Sequence, residues 1–136
     1  LQSNKVKDAL LLFDVFHTVD REKIAKEFSK HQELLINKKF FVQINTGREK
    51  TKSGIFPEDT KDFIIFLISE MKLRIHGLMC IPPIEEDPIS HFTKLKILAN
   101  ENNIDEISHY NNKTWDHYSA YGYEVLAYNI KEELIK

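Results

Sequence analysis

In the stretch FVQINTGREKTKSG, residues 41–54, Gln43 and Asn45 alternate with apolar neighbours, and Arg48, Lys50 and Lys52 follow directly after them. Side chains alternate along a strand, so Val42 and Ile44 share one face while Phe41, Gln43 and Asn45 share the other. A loop holding three cations and the glycines Gly47 and Gly54, at the end of such a strand, is a candidate to meet phosphate or carboxylate. It lacks the spacing of a nucleotide P-loop. A plainer reading stays open beside it, in which the amides are hydrogen-bonded at the rim of a core and the charged loop is merely solvated.

Other chemistry-bearing residues form no constellation. His17, His31, His76 and His91 occur singly, with no second ligand at a zinc-like spacing, and structural roles are expected for them. His109, Asp116 and His117 lie closer together, but no periodic pattern fixes their geometry. Cys80, the only cysteine, has no neighbour that would activate it and is expected in the core. No Ser-His-Asp arrangement can be built, and no metal ligand set is assigned.

Short apolar runs of β type alternate with stretches of helical period. Strands are expected at residues 15–17, 40–45, 75–81 and 105–108. Helices are expected after Asp20 as cap, with Ile24, Phe28, His31 and Leu35 on one face; from Pro57, with Phe63, Ile64, Leu67 and Met71; and from Asp87 and Pro88, with Phe92, Leu95 and Ala99. Residues 4–12 read as a shorter helix. In the third strand, parity puts Ile75, Gly77, Met79 and Ile81 together. The β-α-β-α order predicts an α/β fold with a parallel sheet under covering helices. If that sheet curls into a barrel, Gln43 and Asn45 point inward near the end where barrel enzymes assemble their sites.

With 136 residues, 42% hydrophobic and 29% charged, the chain has the composition of a globular domain with a real core. A net charge of -2 gives no global attraction for nucleic acid or anionic membrane, so any anion site must be local. Apolar runs fall well short of the roughly 20 residues a spanning helix needs, and no secretory leader is visible. One cysteine suits a reducing, cytoplasmic setting. Residue 1 is leucine, which points to a chain processed, trimmed or taken from something longer.

Four motifs then stand in order: LQSNKVK at the start, FHTVDREKIA at 16–25, VQINTGREKTKSG at 42–54 and LRIHGLMCIP at 73–82. In sequence and spacing they resemble the YggS-like pyridoxal phosphate homeostasis family, over residues 1–107. The resemblance implies an incomplete (β/α) TIM-type barrel of the alanine racemase N-terminal type, with about four parallel strands. It also implies a cytoplasmic protein that binds pyridoxal 5'-phosphate (PLP) in vitamin B6 homeostasis, a carrier family without established turnover and so without a catalytic residue. Gln43 sits where the racemase pattern has a lysine, Lys52 matches the lysine of the family's TKSG loop, and Met79 matches the methionine of its GLM strand. With Asn45, these are the expected cofactor-adjacent positions.

The departures carry their own expectations. The family's first two strands, with the lysine that holds the cofactor covalently, precede LQSNK, so the chain is read as truncated and a complementary upstream chain as a conceivable partner. After Ile107 the family's Gly-Met-Ser segment and Arg-x-Gly strand end do not appear, and residues 108–136 are read as a divergent tail. Within it, residues 121–136 can be drawn as an amphipathic helix capping the open sheet. Loss of cofactor binding, a nonfunctional remnant, and a fragment of a racemase-like enzyme are the alternatives; against the last, TGREKTKSG does not match the racemase TGMGR pattern.

Overall fold

The computed structural model describes residues 1–104 and 106–109. The expected tail helix and the group His109, Asp116 and His117 fall wholly or largely outside them. Within them the chain runs α1 (Val6–Leu12), β1 (Val15–Val19), α2 (Glu22–Ser29), β2 (Lys39–Ile44), α3 (Thr60–Ser69), β3 (Ile75–Cys80), α4 (Pro88–Glu101) and β4 (Glu106–His109). The four strands form one parallel sheet in the order β1-β2-β3-β4. Helical crossovers link successive strands, as parallel pairing demands. Among the described residues β1 and β4 are its two edges, so the architecture is that of an incomplete barrel. β4 continues two residues past Ile107, where the first unit was expected to end.

One face of the sheet meets the helices. Phe40, Val42 and Ile44 of β2 and Leu78 and Cys80 of β3 join Ile24 and Phe28 of α2, Ile64 and Leu67 of α3, and Phe92, Leu95 and Ala99 of α4 in a single core. Phe16, Phe28 and Phe40 are its aromatic centre, with ring centroids 4.9–5.4 Å apart in one stacked and two edge-on pairs. Such pairs add about 0.5–1.5 kcal/mol each beyond burial.

Two irregularities break the strict alternation. Phe16 and Val19 both enter the core although they stand three positions apart, an odd spacing, and the β1–β2 register slips between them. The slip absorbs the odd residue, as a bulge does. The β2–β3 register slips between Phe40 and Phe41, and there the His76 Nδ1 accepts the Phe40 N–H at 3.4 Å. Ile75 consequently packs against the helix-side core, whereas Met79 stands outside it. The expected common face of Ile75, Gly77, Met79 and Ile81 is thus corrected at Ile75.

Helix starts also differ from expectation where side chains have other partners. The Asp20 carboxylate is held by Arg21 Nη1, and α2 begins one residue later without a side-chain cap. It ends at Ser29, leaving His31 and Leu35 on either side of a 3-10 turn. Pro57 opens a 3-10 turn, with the α-helix starting at Thr60. Asp87 does cap α4: its Oδ1 accepts the Ile89 N–H at 3.2 Å, with Pro88 in the first turn.

Candidate functional site

At the C-terminal ends of β1 and β2 the sheet opens into a cleft of about 600 Å³, lined by Thr18, Asp20, Arg21, Gln43, Asn45 and Lys52, among others. Its position follows from strand direction, since parallel strands deliver their last residues to one rim. Three of the four expected residues, Gln43, Asn45 and Lys52, meet there. The fourth, Met79, sits opposite Gln43 in the ladder but is buried and off the cleft wall.

The loop forms because its two ends are stitched to β2. Asn45 donates its backbone N–H to the Ile55 carbonyl at 2.8 Å, and the Ile55 N–H returns to the Gln43 carbonyl at 2.8 Å. Gly54 enters this closure at φ +121°, and a Cβ there would stand 2.8 Å from the Asn45 nitrogen. Only glycine suits both demands.

Within that closure the amides already have partners. The Gln43 Nε2 donates to the Ser53 carbonyl at 3.2 Å. Asn45 donates Nδ2 to the Glu49 carbonyl at 2.9 Å and accepts the Glu49 N–H on Oδ1 at 3.1 Å. Both side chains therefore shape the cleft by holding the loop, rather than reaching into it as free donors.

The charges of the loop are largely compensated as well. Arg48 Nη1 lies 2.7 Å from the Glu58 carboxylate and Lys52 Nζ 2.9 Å from that of Glu49. The Arg48 pairing holds the Glu58 carboxyl below the usual range. The three-cation attractor read from the sequence is thus corrected: ion pairs with Glu49 in the loop and Glu58 just after it take up two of the three. What faces the cleft is the partly exposed Lys52, together with Arg21, whose Nη2 donates to the Leu1 carbonyl at 2.8 Å.

Thr18, Arg21 and Ser53 were not singled out from the sequence, and Asp20 was read only as a helix cap. The signal was present, since Asp20 and Arg21 directly follow β1 as Asn45 follows β2, and the rim rule applies to every parallel strand.

Behind the rim, buried His91 of α4 shares a hydrogen bond of 2.9 Å with Thr46 Oγ1 and another of 3.0 Å with the Glu86 carboxylate. A carboxylate only accepts, so neutral His91 carries its proton on Nε2 and takes the Thr46 hydroxyl hydrogen on Nδ1. Thr46 is also hydrogen-bonded to Cys80, yet burial prevails and pushes that thiol up to about 12. His91 is structural, as expected, and Cys80 is an inert core residue. His17 stacks on Phe41 with centroids 4.6 Å apart, on the sheet face away from the helices, and burial lowers its pKa. Among the described residues no group of three or more His, Cys, Asp or Glu could hold a metal ion, and no helix is long and apolar enough to cross a membrane.

At about 600 Å³ the cleft falls within the roughly 300–1,000 Å³ typical of ligand sites, and its lining mixes hydroxyl, charged, amide and apolar groups. No family profile matches the chain. It is 33% identical over 105 residues to the pyridoxal phosphate homeostasis protein of Aquifex aeolicus, covering 74% of this chain and 46% of that protein. To the protein of the same name in Vibrio cholerae it is 34% identical over 110 residues, covering 74% and 44%. Among solved structures it resembles PipY of Synechococcus elongatus, determined without PLP, at TM-score 0.69 and 26% identity, over 79% of this chain and 55% of that one. An uncharacterised protein from Bifidobacterium adolescentis shares the fold at TM-score 0.70 and 21% identity, over 79% and 48%. The chain is a relative of the pyridoxal phosphate homeostasis proteins and spans about half the length of the curated relatives it matches.

Proposed function

We propose that the cleft at the C-terminal rim of β1 and β2 is this chain's share of a pyridoxal 5'-phosphate site, and that the protein serves intracellular PLP homeostasis as a cofactor binder without turnover. The observation that carries this reading is the convergence of Gln43, Asn45 and Lys52 on one cleft in a chain related to proteins of that name. Lys52 supplies a cation beside the cleft, and Gln43 and Asn45 hold the loop that presents it. Met79 lies beneath, as packing next to Gln43. When bound, the cofactor would bring an aldehyde and a phosphate; the chain's part is to seat them. A complementary chain belongs to the same reading, because β1 has no strand beyond it among the described residues and Leu11, Leu12, Phe13 and Val15 stand exposed beside it.

The test is a fluorescence titration of the full chain with PLP, followed by borohydride trapping and peptide mapping. Binding that weakens by about tenfold or more in Lys52→Ala, the scale of one charged contact, supports the assignment. No binding at millimolar PLP and no trapped label would remove it. That outcome favours a second reading, a remnant cleft, for which the existing partners of both amides and of Lys52 speak.

A further inference from the structure

The opposite end of the sheet holds a second cleft of about 600 Å³, lined by Asn37, Lys38, Lys39, Lys72, Arg74 and His76 beside Leu35 and Phe40. β2 separates it from the first by its own length, about 16 Å at ~3.3 Å per residue. Among the described residues four cations and no carboxylate line it, in a chain whose net charge is -2. That asymmetry is local and unexplained by the fold.

The charges differ in how far they are compensated. Lys38 Nζ is paired with Asp14 at 2.8 Å. Lys72 Nζ donates to the Ser69 carbonyl at 2.6 Å, a neutral acceptor that leaves its charge standing. Arg74 is exposed, and its guanidinium has no ion pair or hydrogen bond among the described residues. Two loops carry these residues, and Gln32 binds them together by donating Nε2 to both the Ser29 and the Met71 carbonyls, at 3.1 and 3.2 Å. Lys72 sits at φ +56°. That is the left-handed region, which glycine would occupy without the strain a lysine bears there. Leu35 and Phe40 give the cleft an apolar back wall.

From this cleft, the uncompensated charges of Lys72 and Arg74 and the tied loops, we propose that the N-terminal rim of the sheet is a binding site for a small organic polyphosphate, separate from the PLP cleft. The Arg74 guanidinium offers a fork and the Lys72 ammonium, two positions before it in the same loop, a point charge to adjacent phosphates. The volume admits a compact molecule with two or three phosphates.

Isothermal titration of the full chain with inorganic tripolyphosphate at low salt tests it, with pyrophosphate and orthophosphate as weaker arms. One-site binding is expected, in the order tripolyphosphate, pyrophosphate, orthophosphate. It should fall more than about tenfold in Lys72→Glu/Arg74→Glu. A control of equal charge change on exposed residues elsewhere, Lys61→Glu/Lys94→Glu, should keep it within about threefold, which separates a site from the overall field. Arg74→Gln alone, at an exposed position, should weaken it by several-fold and serves if the double variant fails to fold. PLP titration should be unchanged in Arg74→Gln, so failure here and failure of the PLP assignment are read separately. Absence of tripolyphosphate binding at millimolar concentration, or equal loss in both charge-reversed variants, would overturn the proposal.

Discussion

Replacing Asn45 by alanine isolates the hydrogen bonds that hold the cleft's outer wall. The side chain makes two well-placed bonds to Glu49, at 2.9 and 3.1 Å, and a longer one to the Lys52 carbonyl at 3.5 Å. Two neutral bonds at ~1 kcal/mol each give a loss of about 2 kcal/mol, with the long contact adding little. Because Asn45 is buried, the groups it leaves behind are only partly rehydrated, which pushes the loss upward. In urea, with a slope of about 2 kcal/mol/M, the midpoint should drop by about 1 M. Amide exchange at Glu49 should quicken while that of Leu78 in β3 tracks global stability only. Asn45→Asp refines the test. It keeps an oxygen for the Glu49 N–H but turns a second oxygen toward the Glu49 and Lys52 carbonyls, so it should destabilise at least as much as alanine at neutral pH. A loss below about 0.5 kcal/mol for alanine, or an aspartate variant as stable as wild type, would refute the view that this amide organises the loop.

His17 and Cys80 give two further expectations. Burial lowers the His17 pKa from 6.5, so as pH falls below 6.5 the unfolded chain takes the proton first. Stability carried by neutral His17 is thus complete above pH 6.5 and declines as the pH drops toward the lowered value. An NMR titration of its ring should show the shift, and His17→Phe should flatten the acid limb of stability measured from pH 7 to pH 5; an ordinary titration in the native state would contradict this. For Cys80, with its thiol pushed up to about 12, the thiolate fraction at pH 8 is of order 10⁻⁴. A disulfide reagent should label it very slowly in the native chain and promptly in 8 M urea, and fast native labelling would show the core there to be open.

Where the sequence was legible, one dominant local force acted. Phe40, Val42 and Ile44 alternate cleanly, and their face packs on the helices as read. Asp87 caps α4 because nothing among the described residues competes for its carboxylate, whereas the adjacent Arg21 claims that of Asp20, and α2 starts later. The two register slips could not be read, because they depend on which residue of the neighbouring strand lies opposite, as at Phe40 and His76. The same holds for the site. Gln43 and Asn45 were visible as polar breaks in an apolar run, but their partners are backbone groups of the loop, which sequence spacing does not reveal. The charge pairing of Arg48 with Glu58, ten residues on, likewise arises only once the loop has folded back toward α3.

The return of Ile55 to β2 has a consequence for how such a site can change. Its two backbone bonds act as a stem, closing residues 45–55 into a ring that the Gln43 and Asn45 amides pin further at Ser53 and Glu49. Lengthening the ring between Lys50 and Thr51 leaves the neck and the Asn45–Glu49 bonds in place, and even a doubling costs only about 0.6 kcal/mol in closure entropy. New residues at the tip could therefore alter what the opening admits while the phenylalanine centre of the domain stays as it is. Chemistry at this rim is free to drift at a tempo the scaffold does not share.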